Sequence, residues 1–365
     1  MPPDLPALRR HAVARTLFAP TTLPRALARL GFVQADPLRA PARAQDLILR
    51  HRVRDYRAGD LERRYPRLAV EEDFFVNYGF LPRELAALMH PRAARTRWTA
   101  ARWRQAHAVL DFVRERGAVH PAEVDAHFAH GRVRNWFGGT GRASTELLDG
   151  MHYRGLLRIA RRDAGVRVYA ARDNLLPPAD AAEARRRHDA LVDRLIDTYA
   201  PLPAASLGQL LSYLCRGGVP QWQGERAAAL ARARARHPSH RVDGIDWLWP
   251  EGESPVSRRH RDDDEALRLL APFDPIVWDR RRFALFWGWE YRFEAYTPAA
   301  RRKLGHYALP LLWRGQVIGW GNLAWREGKL DARLGYVAGR PPRDAAFRAA
   351  LDAELQRFSD FMMPR

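Results

Sequence analysis

The sequence predicts an α+β protein, in which tandem helical modules that end in short hairpins precede a small C-terminal antiparallel β module with a covering helix. Three observations support this class. Apolar residues recur at helical spacing over most of the chain before residue 264. Polar, glycine-containing turns follow groups of helices, and beyond Asp264 short apolar runs indicate strands. With 365 residues, the chain is long enough for roughly two to four compact modules.

In the first predicted module, residues 1–100, the segment from Leu5 to Arg97 is expected to be mainly helical. Residues 23–30 have the apolar spacing of a short amphipathic helix that ends at Gly31. Val33 to Asp36 then opens the next element.

The second module, residues 101–180, has a more regular pattern. Helices are predicted at 103–113, from Pro121 and at 142–154, and residues 155–169 form two short strands around a polar turn. Three helices followed by a hairpin is the order of a winged-helix domain, whose third helix normally enters a DNA groove. We therefore predict a winged-helix domain here.

The rest of the chain repeats this order once and then changes. Residues 181–262 are predicted as a winged-helix-like domain, with helices at 181–199, 206–215 and 221–236 and a wing strand at 245–249. Residues 263–365 are predicted as a β-rich domain, with strands at 283–286, 307–313, 316–320 and 330–334 and a helix from 342 to 362.

The charge of the chain points to a polyanionic partner. Lysine and arginine number 61 against 42 acidic residues, a net charge of +19. Only Lys303 and Lys329 are lysines. Codon bias explains this preference for arginine over lysine, but it explains the surplus of positive charge less well. Nucleic acid is the default partner for a protein with so large a positive net charge.

Several classes of protein and site are disfavoured by composition. Cys215 is the only cysteine, which excludes intrachain disulfides, thiolate zinc sites and four-cysteine iron–sulfur clusters. The histidines show no metal-ligand spacing, and residues 138–141 lack the ending of a phosphate-binding loop, so we expect no metal or other cofactor. No apolar run approaches the ~20 residues of a membrane span, and we find no signal peptide. We expect a cytoplasmic protein.

Gln34-Ala35-Asp36 is the segment best suited to chemistry. An amide and a carboxylate two residues apart point the same way if the backbone is extended, and the pair could hold one water. A carboxylate that stabilises a cationic sugar and deprotonates water is what cleavage of an N-glycosidic bond needs when the base is already positive. Asp36 precedes Pro37, however, and such an aspartate is often only a turn or helix cap.

The chain resembles the AlkZ/YcaQ family of DNA glycosylases. Its N-terminal signature is matched by Val33-Gln34-Ala35-Asp36, Ala42-Arg43, Arg52-Val53, Tyr56 and Phe80-Leu81-Pro82. Its C-terminal signature is matched by residues 272–280, residues 291–296 and Leu309-Pro310. The resemblance covers nearly the whole chain, and the C-terminal block is its most specific part.

The resemblance implies three tandem winged helices that form a basic concave surface. The first of them is a winged-helix-like domain in residues 1–100, which carries the Gln-x-Asp motif. The resemblance also implies monofunctional excision of N7-alkylguanine adducts and crosslinks, with Gln34 and Asp36 catalytic, and the aspartate form implies tolerance for bulky lesions. The chain departs from the family at two points. Val76-Asn77 stands where the family often has a His-Glu pair, and residues 319–322 replace an expected Gly-Arg-x-Asp.

The predicted partner is double-stranded DNA with alkylation damage, bound by a monomer. The predicted DNA contacts come from the segment after the motif, from the third helix and wing of the second module, and from the C-terminal module, because arginines position a duplex through its phosphates. They are Arg39, Arg43, Arg52, Arg142, Arg154, Arg161, Arg162 and Arg280.

A non-catalytic winged-helix DNA-binding protein, either a transcription regulator or a lesion-binding protein, is the alternative. It explains the charge and the order of elements equally well, but not Gln34 and Asp36 within a chain-long resemblance. Sequence preference on undamaged duplex would favour a regulator, and lesion-dependent base release would favour the glycosylase.

Overall fold

The computed structural model describes residues 2–94, 96–134, 140–173, 175–257 and 265–363. The helices in these ranges are α1 (Leu5–Thr16), α2 (Leu23–Leu30), α3 (Ala44–Leu49), α4 (Asp60–Arg64), α5 (Arg83–Met89), α6 (Ala100–Arg116), α7 (Pro121–Phe128), α8 (Ala143–Arg154), α9 (Ala181–Tyr199), α10 (Ala204–Gly217), α11 (Arg226–Arg236), α12 (Pro275–Trp278), α13 (Arg280–Trp287) and α14 (Ala345–Met362). The strands are β1 (Val33–Gln34), β2 (Val70–Phe74), β3 (Tyr78–Pro82), β4 (Arg132–Arg134), β5 (Thr140–Arg142), β6 (Leu157–Asp163), β7 (Val166–Ala171), β8 (Leu202–Pro203), β9 (Ser239–Val242), β10 (Ile245–Leu248), β11 (Arg268–Leu269), β12 (Leu309–Trp313), β13 (Gln316–Arg326) and β14 (Lys329–Tyr336). The predicted mixture of helices and strands is confirmed.

The chain divides into two compact units that do not follow the order of the sequence. Unit 1 comprises Met1–Leu61, Val192–Leu211 and Leu230–Arg365. Unit 2 comprises Glu62–Leu191 and Ser212–Ala229. The four-domain division expected from the sequence stays a prediction, and its boundary between residues 262 and 263 lies outside the described residues.

Unit 2 contains the helix, helix, helix, hairpin order expected for residues 101–180. Helices α6, α7 and α8 precede the antiparallel pair β6 and β7, with the short pair β4 and β5 between α7 and α8. The Thr99 side chain caps α6 by accepting from Arg102 N, and Gly117, at a φ of 75°, follows the end of this helix. Side chains such as Val113 and Leu147 are fully buried in the core that these elements share.

The expectation that residues 1–100 are mainly helical is wrong for one segment of unit 2. Strands β2 and β3 form an antiparallel hairpin there, with Val76-Asn77 at its turn. Glu71, Glu72 and Asp73 on β2 are all buried. Their carboxylates are paired with arginines, some of them distant in sequence. Because this pairing compensates the buried charges, β2 can be a buried strand without the apolar residues by which such a strand is recognised in a sequence.

Unit 1 contains two sheets. Strands β8, β10 and β9, in that order, form a small sheet in which Trp247 is buried and stacks on Phe286 at 5.2 Å. Strands β11 to β14 form a four-stranded antiparallel sheet in chain order. Helix α14 packs on it, and the Phe347 ring lies 5.3 Å from that of Trp313. This sheet and helix agree with the predicted C-terminal β module and its covering helix.

Two of the predicted C-terminal elements are different in the structure. The predicted strand at 283–286 is part of helix α13, because the Asp279 side chain caps the helix by accepting from Arg282 N at 3.1 Å and Gly288, at a φ of 64°, ends it. Four consecutive apolar residues do not by themselves distinguish a strand from a buried helix. The predicted helix at 221–236 begins with a 3₁₀ turn, Pro220–Glu225, before α11.

Candidate active site

Gln34 is the last residue of strand β1, and its side chain is buried, with 4% of the residue exposed. Trp278 Nε1 donates a hydrogen bond to Gln34 Oε1 at 2.9 Å. Because an indole N–H can only donate, the amide atom that faces it has to be the oxygen. The Gln34 NH₂ group is therefore the part of the amide that remains to donate to another partner.

Asp36 is also buried, with 9% of the residue exposed. Its Oδ1 accepts a hydrogen bond from Leu38 N at 2.9 Å, the geometry of an aspartate turn, and strand β1 ends two residues earlier, at Gln34. Burial raises the pKa of Asp36 above its ordinary value, although the bond from Leu38 opposes the rise. The carboxylate is thus fixed in direction and is a stronger base than an exposed aspartate.

Two tyrosines lie within the electrostatic reach of Asp36. Burial and the charge of Asp36 together raise the pKa of Tyr296 and of Tyr307. The Tyr307 hydroxyl is buried and has no hydrogen-bond partner among the described residues. The charge of Asp36 thus acts on two tyrosines of the C-terminal module, and Gln34, two residues before it, is held by the indole of the same module.

An ion pair supports the helix that carries Trp278. Asp274 caps α12 by accepting from Ile276 N at 3.1 Å. The Arg52 guanidinium donates to both Asp274 oxygens, at 2.8 and 2.9 Å, and both side chains are fully buried. The structure does not support the expected DNA contact of Arg52, because its guanidinium has no exposed surface and already bonds a carboxylate and two carbonyls.

The Arg280 side chain also bonds groups within unit 1. Its guanidinium donates to the carbonyls of Val277 and Pro272, the second at 2.9 Å, and lies 4.4 Å from the centre of the Tyr291 ring. Desolvation lowers its pKa. These contacts hold the segment before α13 and argue against the expected role in phosphate binding.

The other predicted DNA contacts of unit 1 lie close to the motif in sequence. Arg39 is exposed, and its side chain has no ion-pair partner in the described part of the chain. Arg43 is half-buried at the position that precedes α3. Both stay predictions.

The four predicted contacts of unit 2 differ in how strongly they are held. Arg142 pairs with Asp125 at 3.4 Å and Arg161 with Asp163 at 3.0 Å, and all four side chains keep exposed surface. Arg154 donates to the Thr96 carbonyl and lies 3.6 Å from the centre of the Trp98 ring. Arg162 is bonded to the buried Glu72. Arg142 and Arg161 are therefore the better candidates.

Sequence reasoning assigned no role to Trp278, Tyr296 or Tyr307. Trp278 and Tyr296 lie in the segments that carry the C-terminal family resemblance, which was a signal that those segments matter. Tyr307 gave no signal beyond its place at the start of a predicted strand.

Metal sites and membrane spans were also sought. Within the described ranges, no group of three or more His, Cys, Asp or Glu residues could hold a metal ion. The same ranges contain no helix that is both long and apolar enough to cross a membrane. Cys215 is buried.

The fold and the site define a mixed α/β protein with a buried glutamine and aspartate held beside aromatic rings. Residues 27–361 match the family model described as "DNA glycosylase AlkZ-like", and the chain belongs to this family of DNA glycosylases. It is also similar to a solved structure, the DNA glycosylase AlkZ of Streptomyces sahachiroi, with a TM-score of 0.62 and 13% identity over 99% of this chain and 97% of that chain. That similarity shows a shared fold.

Proposed function

We propose that this protein is a monofunctional DNA glycosylase that excises N7-alkylated purines or unhooks alkylation interstrand crosslinks, with Asp36 and Gln34 as its catalytic residues. Family membership supplies the general class of activity. The observation that carries the assignment of residues is the Gln34 amide, held by Trp278 and followed two residues later by the buried Asp36.

The chemistry follows from the charge of the substrate. A purine alkylated at N7 is already cationic, so the bond to its sugar breaks with little help to the leaving group. Ionised Asp36 stabilises the cationic sugar that forms and accepts a proton from the attacking water. Gln34 donates its NH₂ group to the oxygen of that water, because Trp278 occupies its Oε1.

The proposed partner is double-stranded DNA, bound by a cytoplasmic monomer with tandem winged helices. The element order of α6 to β7 supports a winged helix in residues 101–180. The order of α9, β8, α10, α11, β9 and β10, with a β8-β10-β9 sheet, supports another in residues 181–262. The resemblance adds the first module, and Arg39, Arg43, Arg142 and Arg161 remain the proposed phosphate contacts.

A non-catalytic DNA-binding protein is the second candidate. The hydrogen bond from Leu38 to Asp36 favours it, because an aspartate with a purely structural role before Pro37 would make the same bond.

The two candidates are separated by replacing Asp36. Incubation with duplex that carries one N7-methylguanine or a nitrogen-mustard crosslink, followed by alkaline cleavage of abasic sites, measures base release. Asp36→Asn keeps the size of the side chain and removes its charge, so we expect single-turnover release to fall by at least about a hundredfold. Gln34→Ala should lose less, because Gln34 only orients water.

Stability provides the control for this experiment. Because burial raises the pKa of Asp36, its charged form costs stability at neutral pH, and that cost fades as pH falls below the raised pKa. Asp36→Asn should therefore melt at the parent's temperature or above it at neutral pH. Release at the parent rate by Asp36→Asn would overturn the catalytic assignment, and a parent that releases no base would favour the non-catalytic candidate.

A further inference from the structure

Tyr296 is an exposed aromatic residue in the segment between α13 and β12. Its exposed fraction is 76%, whereas Tyr291 and Tyr307 of the same segment are buried. The Tyr296 ring contacts that of Phe293 edge to face at 6.0 Å, and Phe293 packs on Tyr307 at 5.3 Å. One side of Tyr296 thus has aromatic support, and most of the ring faces solvent.

The loop that carries Tyr296 is closed at its base. The Glu294 carboxylate is buried and accepts hydrogen bonds from Lys303 N at 2.9 Å and Leu304 N at 2.7 Å. Asn322 Nδ2, on strand β13, donates to the Leu304 carbonyl at 2.7 Å. Residues 295–302 therefore form a loop with fixed ends, which we call the Tyr296 loop.

The Tyr296 loop approaches Asp36. The charge of Asp36, after burial, contributes to the raised pKa of Tyr296 and of Tyr307, which follows the loop. Ring packing links the loop to the same site: the Phe293 ring, which contacts Tyr296, lies 5.0 Å from the Phe273 ring. Phe273 directly precedes Asp274, the cap of helix α12, whose Trp278 holds Gln34.

The chemistry of the loop suits a nucleic acid. Arg301 and, directly after the loop, Lys303 are exposed and positive, while Tyr296 offers an aromatic face. Cationic side chains contact phosphates without regard to sequence, and an exposed aromatic ring offers a flat surface for a base. A nucleotide extruded from the duplex to reach Asp36 needs such a surface to replace the lost stacking.

We propose that Tyr296 is the stacking surface for the extruded purine, and that the Tyr296 loop makes the lesion pocket selective for cationic, N7-alkylated bases. This inference rests on the proposed function. A positively charged purine gains more from the face of a tyrosine ring than a neutral one does, because the ring's quadrupole attracts cations. Neutral purines and undamaged duplex are expected to bind more weakly.

The test measures binding and release separately. In the Asp36→Asn background, so that the lesion persists, the affinity for a duplex with one 2′-fluoro-stabilised N7-methylguanine is compared with that for the unmodified duplex. Tyr296→Ala should reduce this preference by roughly 5- to 150-fold, the range for losing one base–aromatic stack. Tyr296→Phe should retain it, and Leu176→Ala, at a residue that is 74% exposed, is the control for truncating an exposed apolar side chain.

The possible results distinguish a failure of the inference from a failure of the proposed function. If Tyr296→Ala keeps the parental preference and, with Asp36 intact, the parental rate of release, the inference is overturned and the proposed function stands. If the parent neither prefers nor excises the lesion, the proposed function fails and the inference fails with it. Glu294→Gln, which weakens the closure of the loop without changing Tyr296, should lower the preference in the same direction as Tyr296→Ala.

Discussion

The Trp278 indole has one hydrogen-bonding atom, and that atom is a donor. Its bond to Gln34 therefore decides which end of the amide can reach a substrate. A partner able both to donate and to accept would leave the two orientations close in energy. In the proposed function, this pairing makes Trp278 a positioning residue, which acts on the reaction through Gln34.

Trp278→Phe tests this role. The substitution removes the donor and keeps an aromatic ring, so Gln34 can turn its oxygen toward the water. A lost hydrogen bond of about 0.5–1.5 kcal/mol predicts single-turnover release slower by roughly 2- to 12-fold, with unchanged affinity for undamaged duplex. The double variant with Gln34→Ala should be no slower than Gln34→Ala alone, and additive losses would show that Trp278 acts independently of Gln34.

The sequence led to Gln34 and Asp36 as predicted site residues but not to the side chains that surround them. The two residues are close together in the sequence, so their spacing is visible in a short segment, whereas Trp278 lies 244 residues from Gln34. Periodicity and turn signals describe neighbours along the chain only. The tyrosines near Asp36 are likewise brought there by packing of the C-terminal module.

At the scale of elements, α12 is a short helix that depends on its cap. The Asp274 carboxylate caps it, and Arg52 keeps that carboxylate paired in a site without solvent. A buried carboxylate that loses a bidentate arginine partner is costly, more so than the absence of both members of the pair.

Arg52→Ala should therefore lower the free energy of unfolding by about 3–5 kcal/mol. Urea denaturation followed by tryptophan fluorescence measures the change. Arg39→Ala, at an exposed arginine of the same unit, is the matched control and should stay within about 0.5 kcal/mol of the parent. Equal stability of the two variants would mean that the ion pair contributes little.

Elements were predicted well where their pattern is local. Helices α6, α8 and α14 show apolar periodicity and have recognisable ends, and the structure contains them close to the expected bounds. Strand β2 was missed because its carboxylates are neutralised by arginines from other elements. The run at 283–286 was misassigned because its helical conformation depends on a cap outside the run.

At the scale of the whole molecule, the net charge of +19 overstates what is available to a partner. Arg52, Arg162 and Arg280 are among the arginines that bond groups within their own unit. In the composition each of them is a potential DNA contact. Only the structure distinguishes arginines that are bonded within the protein from arginines that are exposed to a partner.

The affinity for duplex should still fall steeply with salt, because each neutralised phosphate adds about 0.9 to the slope of log K against log salt. Arg39→Ala should reduce that slope by about 1, and Arg39→Lys should preserve it. Titrations by fluorescence anisotropy at several salt concentrations measure both. A flat dependence in the parent would contradict binding through phosphates.

The discontinuity of unit 1 has a consequence for the growing polypeptide. The first 61 residues form part of this unit, and Ala58 N bonds the Phe361 carbonyl at 2.9 Å near the other end of the chain. At about 5–20 residues per second, the ribosome takes roughly 15–60 s to synthesise the residues that separate these partners. During that interval helix α1 lacks α12 and α13, on which it packs in the finished protein, and the Tyr56 ring lacks the Phe361 ring on which it stacks. The nascent N-terminal segment is therefore a candidate client for chaperones, whereas unit 2 can complete its core as soon as residue 229 has emerged.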